Sequence, residues 1–193
     1  MIKKSIRIAN CSGFYGDKLA VAREMVEGGP IDVLTGDYLA ELTMTILYGQ
    51  KMKRGEDHGY VGTFIKQFRD VAKLTEEKRI KIVTNAGGLN PASMASAIQD
   101  IVKELNLNLK VAYIDGDDLM PRINDFFRDG EKLINIDKNM PLDSYDKKPI
   151  TANAYLGAWG IKEALNNGAD VVICPRVTDA AVVIGPAAWK YNW

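Results

Sequence analysis

One histidine, two cysteines and no excess charge of either sign mark this chain of 193 residues, in which 25 Lys plus Arg balance 25 Asp plus Glu. A single histidine excludes a multi-histidine zinc site. It also argues against a Ser-His-Asp triad, because His58 lies in a glycine-rich stretch between helices. Cys11 and Cys174 do not make a disulfide framework and fit a reducing, cytoplasmic compartment. Balanced charge argues against nucleic acid as a partner, since such binders carry a basic patch and a high pI. The one basic cluster, Lys51-Met52-Lys53-Arg54, reads as a solvated helix end. No apolar run approaches the roughly 20 residues of a membrane span, so no membrane is expected. Met1-Ile2-Lys3-Lys4 has the positive start of a secretory signal, but Arg7 and Asn10 follow where an apolar stretch is needed.

What the chain does have is a pattern. Five apolar, β-branched runs (Ser5–Ala9, Ile31–Leu34, Ile80–Val83, Lys110–Ile114 and Asp170–Cys174) each enter a polar loop rich in Gly, Asn, Asp and Thr. Helical spacing fills the intervals: Asp17 to about Glu27, Leu39 to Tyr48, Thr63 to Ala72, a helix opened by Asn90-Pro91, a short one from Met120 to Phe127, and one marked by Ala154, Ala158, Ile161 and Leu165. A last helix is expected from Ala180 to Trp189. Gly49–Gly62 reads as a loop or lid, and Gly130–Pro149 as an irregular excursion. Strands alternating with helices predict a three-layer α/β domain over residues 1–193, with a mostly parallel, doubly wound, Rossmann-like sheet of at least five strands. Ligands then bind in the crevice at the strand carboxyl ends.

The loops carry the candidate chemistry. Arg176, directly after a strand, is placed to clamp a carboxylate or phosphate bidentately. Thr178 and Asp179 follow it at the start of the next helix, where capping is the alternative role. In Thr84-Asn85-Ala86-Gly87-Gly88-Leu89-Asn90-Pro91, Asn85 is suited to bond a substrate carbonyl, and the Gly87 and Gly88 backbone to cradle it. Asn90 doubles as a helix cap, and a tight structural turn is the alternative for the whole loop. Ser12 and Gly13 open a loop shaped like a phosphate cradle. That loop lacks both G-x-G-x-x-G and the Walker Lys-Ser/Thr, and Asp17 would repel a phosphate. Asp37, Glu41, Asp115, Asp117, Asp118 and Asp179 are the carboxylates near strand ends. Two or three of them converging with water would suit Mg²⁺ or another hard cation; one with a raised pKa would serve as general acid or base. Tyr15, Tyr38, Tyr155 and Trp159 are candidates for an apolar wall. The cysteines close strands, the usual setting of inert buried thiols.

Several of these blocks also carry a family resemblance. Ser12-Gly13-Phe14-Tyr15-Gly16-Asp17, the stretch Gly28 to Glu41, Thr84 to Pro91, Ala152-Asn153-Ala154-Tyr155-Leu156-Gly157-Ala158 and Arg176-Val177-Thr178-Asp179-Ala180 resemble, collinearly, the acyclic terpene utilisation (AtuA-like) family. Members of that family are longer, so the chain resembles their N-terminal portion. The resemblance implies a place in the catabolism of branched acyclic terpenoid acids, which proceeds through acyl-CoA esters. It implies no settled reaction and no catalytic residues.

The combined expectation is an enzyme, or part of one, acting on a small branched acid or its CoA ester. Arg176 would hold the anionic end, Asn85, Gly87 and Gly88 a carbonyl, and Asp37 or Asp179 the protons. Two other classes stay open. One is a binding or assembly subunit that associates with copies of itself or with a C-terminal partner chain, suggested by Trp189 and Trp193 near the end. The other is a metal-dependent hydrolase or lyase.

Overall fold

The computed structural model describes residues 5–193; the basic start at Met1–Lys4 lies outside them. Among the described residues, β1 (Ile8–Asn10), β2 (Val33–Gly36), β3 (Lys81–Thr84), β4 (Val111–Tyr113) and β5 (Val171–Ile173) form one sheet in the order β1-β2-β3-β5-β4, every pairing parallel. Strand side chains alternate between faces. Leu34, Ile82 and Ile173 pack into one core with Val26 of α1 (Val21–Gly28), Phe64 and Phe68 of α3 (Gly62–Lys78), and Met94 and Ile98 of α4 (Pro91–Glu104). Val33, Val83 and Val172 point the other way, onto Ile161 and Leu165 of α6 (Trp159–Asn166) and Val182 of α7 (Ala181–Tyr191). Strands covered on both faces read as unbroken apolar runs, which is why the sequence displays them so clearly. The expected three-layer α/β fold is therefore present.

Order and layers together locate a crevice. The chain leaves β3 for α4 on one face and leaves its neighbour β5 for α7 on the other. Adjacent strands whose connections diverge in this way open a gap at their carboxyl ends. The loops above that gap are Asn85–Asn90 and Pro175–Asp179.

Several element boundaries differ from those expected, each for a physical reason. The α1 helix starts at Val21 rather than Asp17, because the Asp17 carboxylate accepts from the amides of Gly13 (3.1 Å) and Lys18 (2.8 Å) and closes the preceding loop. The helix α2 runs from Glu41 to Arg54, straight through Gly49. An interior glycine costs about 1 kcal/mol relative to alanine, and buried Met44 and Leu47 outweigh that. The turn comes at Gly55, whose φ of 108° favours glycine. The supposed lid thus shrinks to residues 55–61, held by Val61 N donating to Ala86 O (2.8 Å) and Leu89 N to Gly59 O (2.8 Å). The α3 helix continues past Ala72 because Thr75, a polar residue, keeps the buried spacing by bonding its hydroxyl to Ala72 O.

The largest correction concerns Ala154, whose helical spacing is coincidental; Ala158 is the N-cap of α6 and accepts from Lys162 N at 3.0 Å. Residues 152–156 are extended: Leu119 N donates to Ala152 O, Ala154 N to Asp117 O and Leu156 N to Arg176 O. After β4, a 3₁₀ turn at Met120–Arg122 leads into α5 (Ile123–Arg128), and residues 130–149 are irregular apart from one 3₁₀ turn at Leu142–Ser144. Trp189 packs against the second core rather than standing exposed, whereas Trp193 is exposed and stacks on Tyr191. Among the described residues no helix is long and apolar enough to cross a membrane.

The contact between α6 and α7 depends on Gly185. A Cβ there would lie 2.6 Å from Ile161 Cβ and 3.3 Å from Ala158 O. Alanine in a helix interior normally gains about 1 kcal/mol over glycine, while overpacking costs about 1–3 kcal/mol against a stiff β-branched neighbour. Gly185→Ala is expected to lower stability by about 1–2 kcal/mol in urea denaturation, against the sign that helix propensity alone gives.

Candidate functional site at the carboxyl edge

Arg176 is the centre of the crevice and is only 4% exposed. Its Nη1 donates to Leu39 O (3.3 Å), Val177 O (3.1 Å) and Asp179 Oδ1 (3.0 Å). Its Cζ lies 4.0 Å from the centroid of the Tyr155 ring, a cation-π stack. Outward, Nη2 meets Glu41 Oε1 at 3.7 Å, and Glu41 in turn accepts from the Tyr155 hydroxyl. Burial by itself would lower the pKa of this guanidinium, but the bonds to Tyr155 and Asp179 outweigh it and hold the group more firmly charged than an ordinary arginine. Of these neighbours, Glu41, Asp179 and Tyr155 are exposed, so the outer side of the cation is covered only by side chains that solvent reaches.

Asp37, half-buried, lies close enough to feel both Arg176 and Asp179. Burial pushes its carboxyl above the ordinary 3.8, and the charge of Asp179 adds to the rise, while bonds from Asn85 and the Leu39 amide and the charge of Arg176 oppose it. Asn85 is fully buried and has both ends engaged: Oδ1 accepts from Tyr38 N (2.8 Å) and Nδ2 donates to Asp37 Oδ1 (2.6 Å). It therefore orients Asp37 from below, at the end of β3.

The two glycines read as a carbonyl cradle donate within the protein instead, Gly87 N to Cys174 O (3.1 Å) and Gly88 N to Asn85 O (3.2 Å). Their lack of a side chain is a packing requirement. A Cβ on Gly87 would come within 2.5 Å of Cys174 O, and one on Gly88 would collide with Leu47. Asn90 caps α4 by accepting from Ser93 N (3.1 Å), and its Nδ2 donates to Glu56 O and His58 O, which ties down the 55–61 loop. In the first loop Ser12 is buried with its hydroxyl bonded to Phe14 O, and exposed Gly13 has its amide taken by Asp17. Those amides hold the Asp17 carboxyl below the usual range. Thr178 is exposed, and its amide donates to Leu156 O (2.9 Å). The structure thus brings Asp37, Asn85, Arg176 and Asp179 together; the backbone donors of Gly13, Gly87, Gly88 and Thr178 are engaged within the fold.

Asp117, from the loop that offered the least distinctive sequence, is buried and supports the centre. Its Oδ2 accepts from Asn153 Nδ2 (2.8 Å) and from Arg176 N (3.2 Å). Burial raises its pKa while those two bonds pull against the rise. Nothing in the run Asp115-Gly116-Asp117-Asp118 distinguishes the buried member. The one available signal is Asn153, which lies in a block already singled out. Tyr38 is core rather than wall, with its hydroxyl bonded to Gln67 Oε1, whereas Trp159 is exposed. Cys11, 3.8 Å from Tyr38 Oη, has its thiol pushed up to about 11 by burial, and burial raises Cys174 further. Among the described residues no group of three or more His, Cys, Asp and Glu side chains is gathered so as to hold a metal ion.

Asp37 has a testable pH signature. Its folded pKa exceeds the ordinary value, so the native state takes up a proton before the unfolded chain does. Its ionisation therefore costs stability above that window, and the cost disappears on acidification. Asp37→Asn retains an acceptor for Asn85 and is expected to be as stable as the wild type or more so at about pH 7. That advantage should vanish at about pH 3, below the unfolded carboxyl's own pKa, as urea denaturation at the two pH values will show.

Comparison with known proteins gives one family: the model of the acyclic terpene utilisation family protein AtuA matches residues 6–193. No curated protein and no solved structure gave a match. The matched span contains every strand of the sheet and every residue of the Arg176 centre. The chain belongs to the acyclic terpene utilisation family AtuA.

Proposed function

We propose that the carboxyl-edge crevice binds a small carboxylic acid, or its CoA thioester, of the branched acyclic terpenoid type, and moves a proton on it. Family membership supports involvement in acyclic terpene utilisation. The observation that carries the finer reading is the covering of Arg176: a buried guanidinium whose outer nitrogen meets only the exposed carboxylate of Glu41. A substrate carboxylate has the same charge and the same planar pair of oxygens as the Glu41 side chain. It would take that position against Nη2, with Tyr155 swinging aside, and gain the charge-assisted bonds that the 3.7 Å separation from Glu41 does not provide. Asp37, with its pKa already raised and its orientation fixed by Asn85, would serve as general acid or base beside the bound acid. Asp179 holds Arg176 by accepting from Nη1 at 3.0 Å.

The reading is tested by isothermal titration of short branched acids, whose free carboxylate is the group Arg176 would hold. Arg176→Lys keeps the charge but loses the planar fork, and a bidentate contact is worth about 1.5–3 kcal/mol. The variant is expected to bind at least tenfold more weakly, while Asp37→Asn binds within a few-fold of the wild type. Unchanged affinity in Arg176→Lys would contradict the assignment.

A further inference from the structure

Two walls run away from Arg176 and meet again at an apolar cleft. The first is a stripe of α2. Glu41, Thr45, Tyr48 and Met52 follow one another at the four- and three-residue spacing that keeps side chains on a single helix face. The stripe starts at Glu41, against the guanidinium, and reaches Tyr48 about 10 Å further on at 1.5 Å per residue. The second wall is the extended segment from Thr151 to Tyr155, which covers about 13 Å at strand rise. Its Tyr155 end lies over Arg176 and is joined there to Glu41.

At the far end both walls line one cleft of about 210 Å³, formed by Tyr48, Lys51, Met52, Leu89, Met120, Ile150 and Thr151 together with Glu56 and Asp118. Its charged members are already occupied. Lys51 pairs with Glu56 at 2.8 Å, and Asp118 accepts from Met120 N at 2.9 Å. Apolar side chains dominate the rest of the lining, and of these Met52 is 56% exposed and Ile150 43% exposed, each facing solvent at an apolar cost. The cleft is also tied to the centre from below. Asp118 follows Asp117, which accepts from the Arg176 amide, and the bridge from Asp118 to Asn153 fixes the second wall.

We infer that this cleft binds the hydrocarbon tail of the acid whose carboxylate or thioester end lies at Arg176. The inference rests on the reading of Arg176 given above. The separation of about 10–13 Å between the two ends calls for a medium-length chain, not a two- or three-carbon acid. Two methionines and an isoleucine adapt readily to methyl branches, because thioether chains fill irregular space. Linear and branched tails of one length are both accommodated, and length is the main determinant of affinity.

The test uses the intact chain and calorimetric titration with acetate, octanoate, decanoate and a methyl-branched decanoate. In the wild type each methylene sheltered from water should raise affinity about fourfold, up to the length of decanoate. Met52→Asp and Ile150→Asp, both at exposed positions, should flatten that gain and leave acetate affinity unchanged. Acetate and decanoate bound equally well would overturn the cleft while leaving Arg176 as the anion site. So would a chain-length gain that survives in both variants. Decanoate bound tightly, sensitive to Met52→Asp but indifferent to Arg176→Lys, would keep the cleft and overturn the anion assignment. Absence of decanoate binding would overturn the inference outright.

Discussion

A guanidinium withdrawn from water must be compensated, and at Arg176 the compensation comes from three separate parts of the chain. The loop after β2 and the first residue of α2 supply Leu39 O and Glu41, the loop after β5 supplies Val177 O and Asp179, and the extended segment supplies the face of Tyr155. Asp117, after β4, grips the arginine's own backbone. The loops that carry these groups are thus held to one point by a single side chain. The cation therefore acts as the organiser of the carboxyl edge, whatever ligand that edge receives. The loop after β3 enters through Asn85, which orients Asp37 of the β2 loop and so brings a carboxyl of raised pKa to the same point.

The sheet makes this convergence possible. Because α4 and α7 leave adjacent strands toward opposite faces, no helix crosses the gap above β3 and β5, and the loops are free to meet there. Gly87 sets how closely they meet. Its amide bonds to Cys174 O and its missing side chain leaves room for that carbonyl, so the two central strands' loops touch backbone to backbone. The same close approach explains why the glycine amides are spent inside the fold. Polar groups aimed at the crevice are side chains, namely Arg176, Asp37, Asp179 and Glu41, and side chains can exchange partners when a ligand arrives.

Much of the architecture is legible in the sequence because the two cores impose it there. A strand buried on both faces is apolar along its buried length, so Ile82–Val83 and Val171–Cys174 are visible as runs, while Lys81 at the start of β3 pairs with Asp170. Asn90-Pro91 announces its helix by cap chemistry that tertiary structure had no reason to override. Where local signals competed with packing, packing prevailed: Gly49 lies inside α2, and Ala154 lies outside any helix. Within the site, Arg176, Asn85 and Asp37 are legible because each is a chemically distinct residue at a strand end. Asp117 is not, because its role is to accept bonds from Asn153, 36 residues later, and from the Arg176 amide, 59 residues later. Spacing within one loop carries no trace of either partner.

The account turns on Asp37 being a carboxyl of raised pKa opposed by the charge of Arg176. Direct carbon-13 NMR titration of the Asp37 side chain, in the wild type and in Arg176→Gln, tests that coupling without reference to any substrate. The expected midpoint lies above the ordinary 3.8 in the wild type and higher still in the variant, since removing the cation removes a charge that favours the ionised form. A wild-type midpoint at or below 3.8, or one that stays put when Arg176 is replaced, would contradict it.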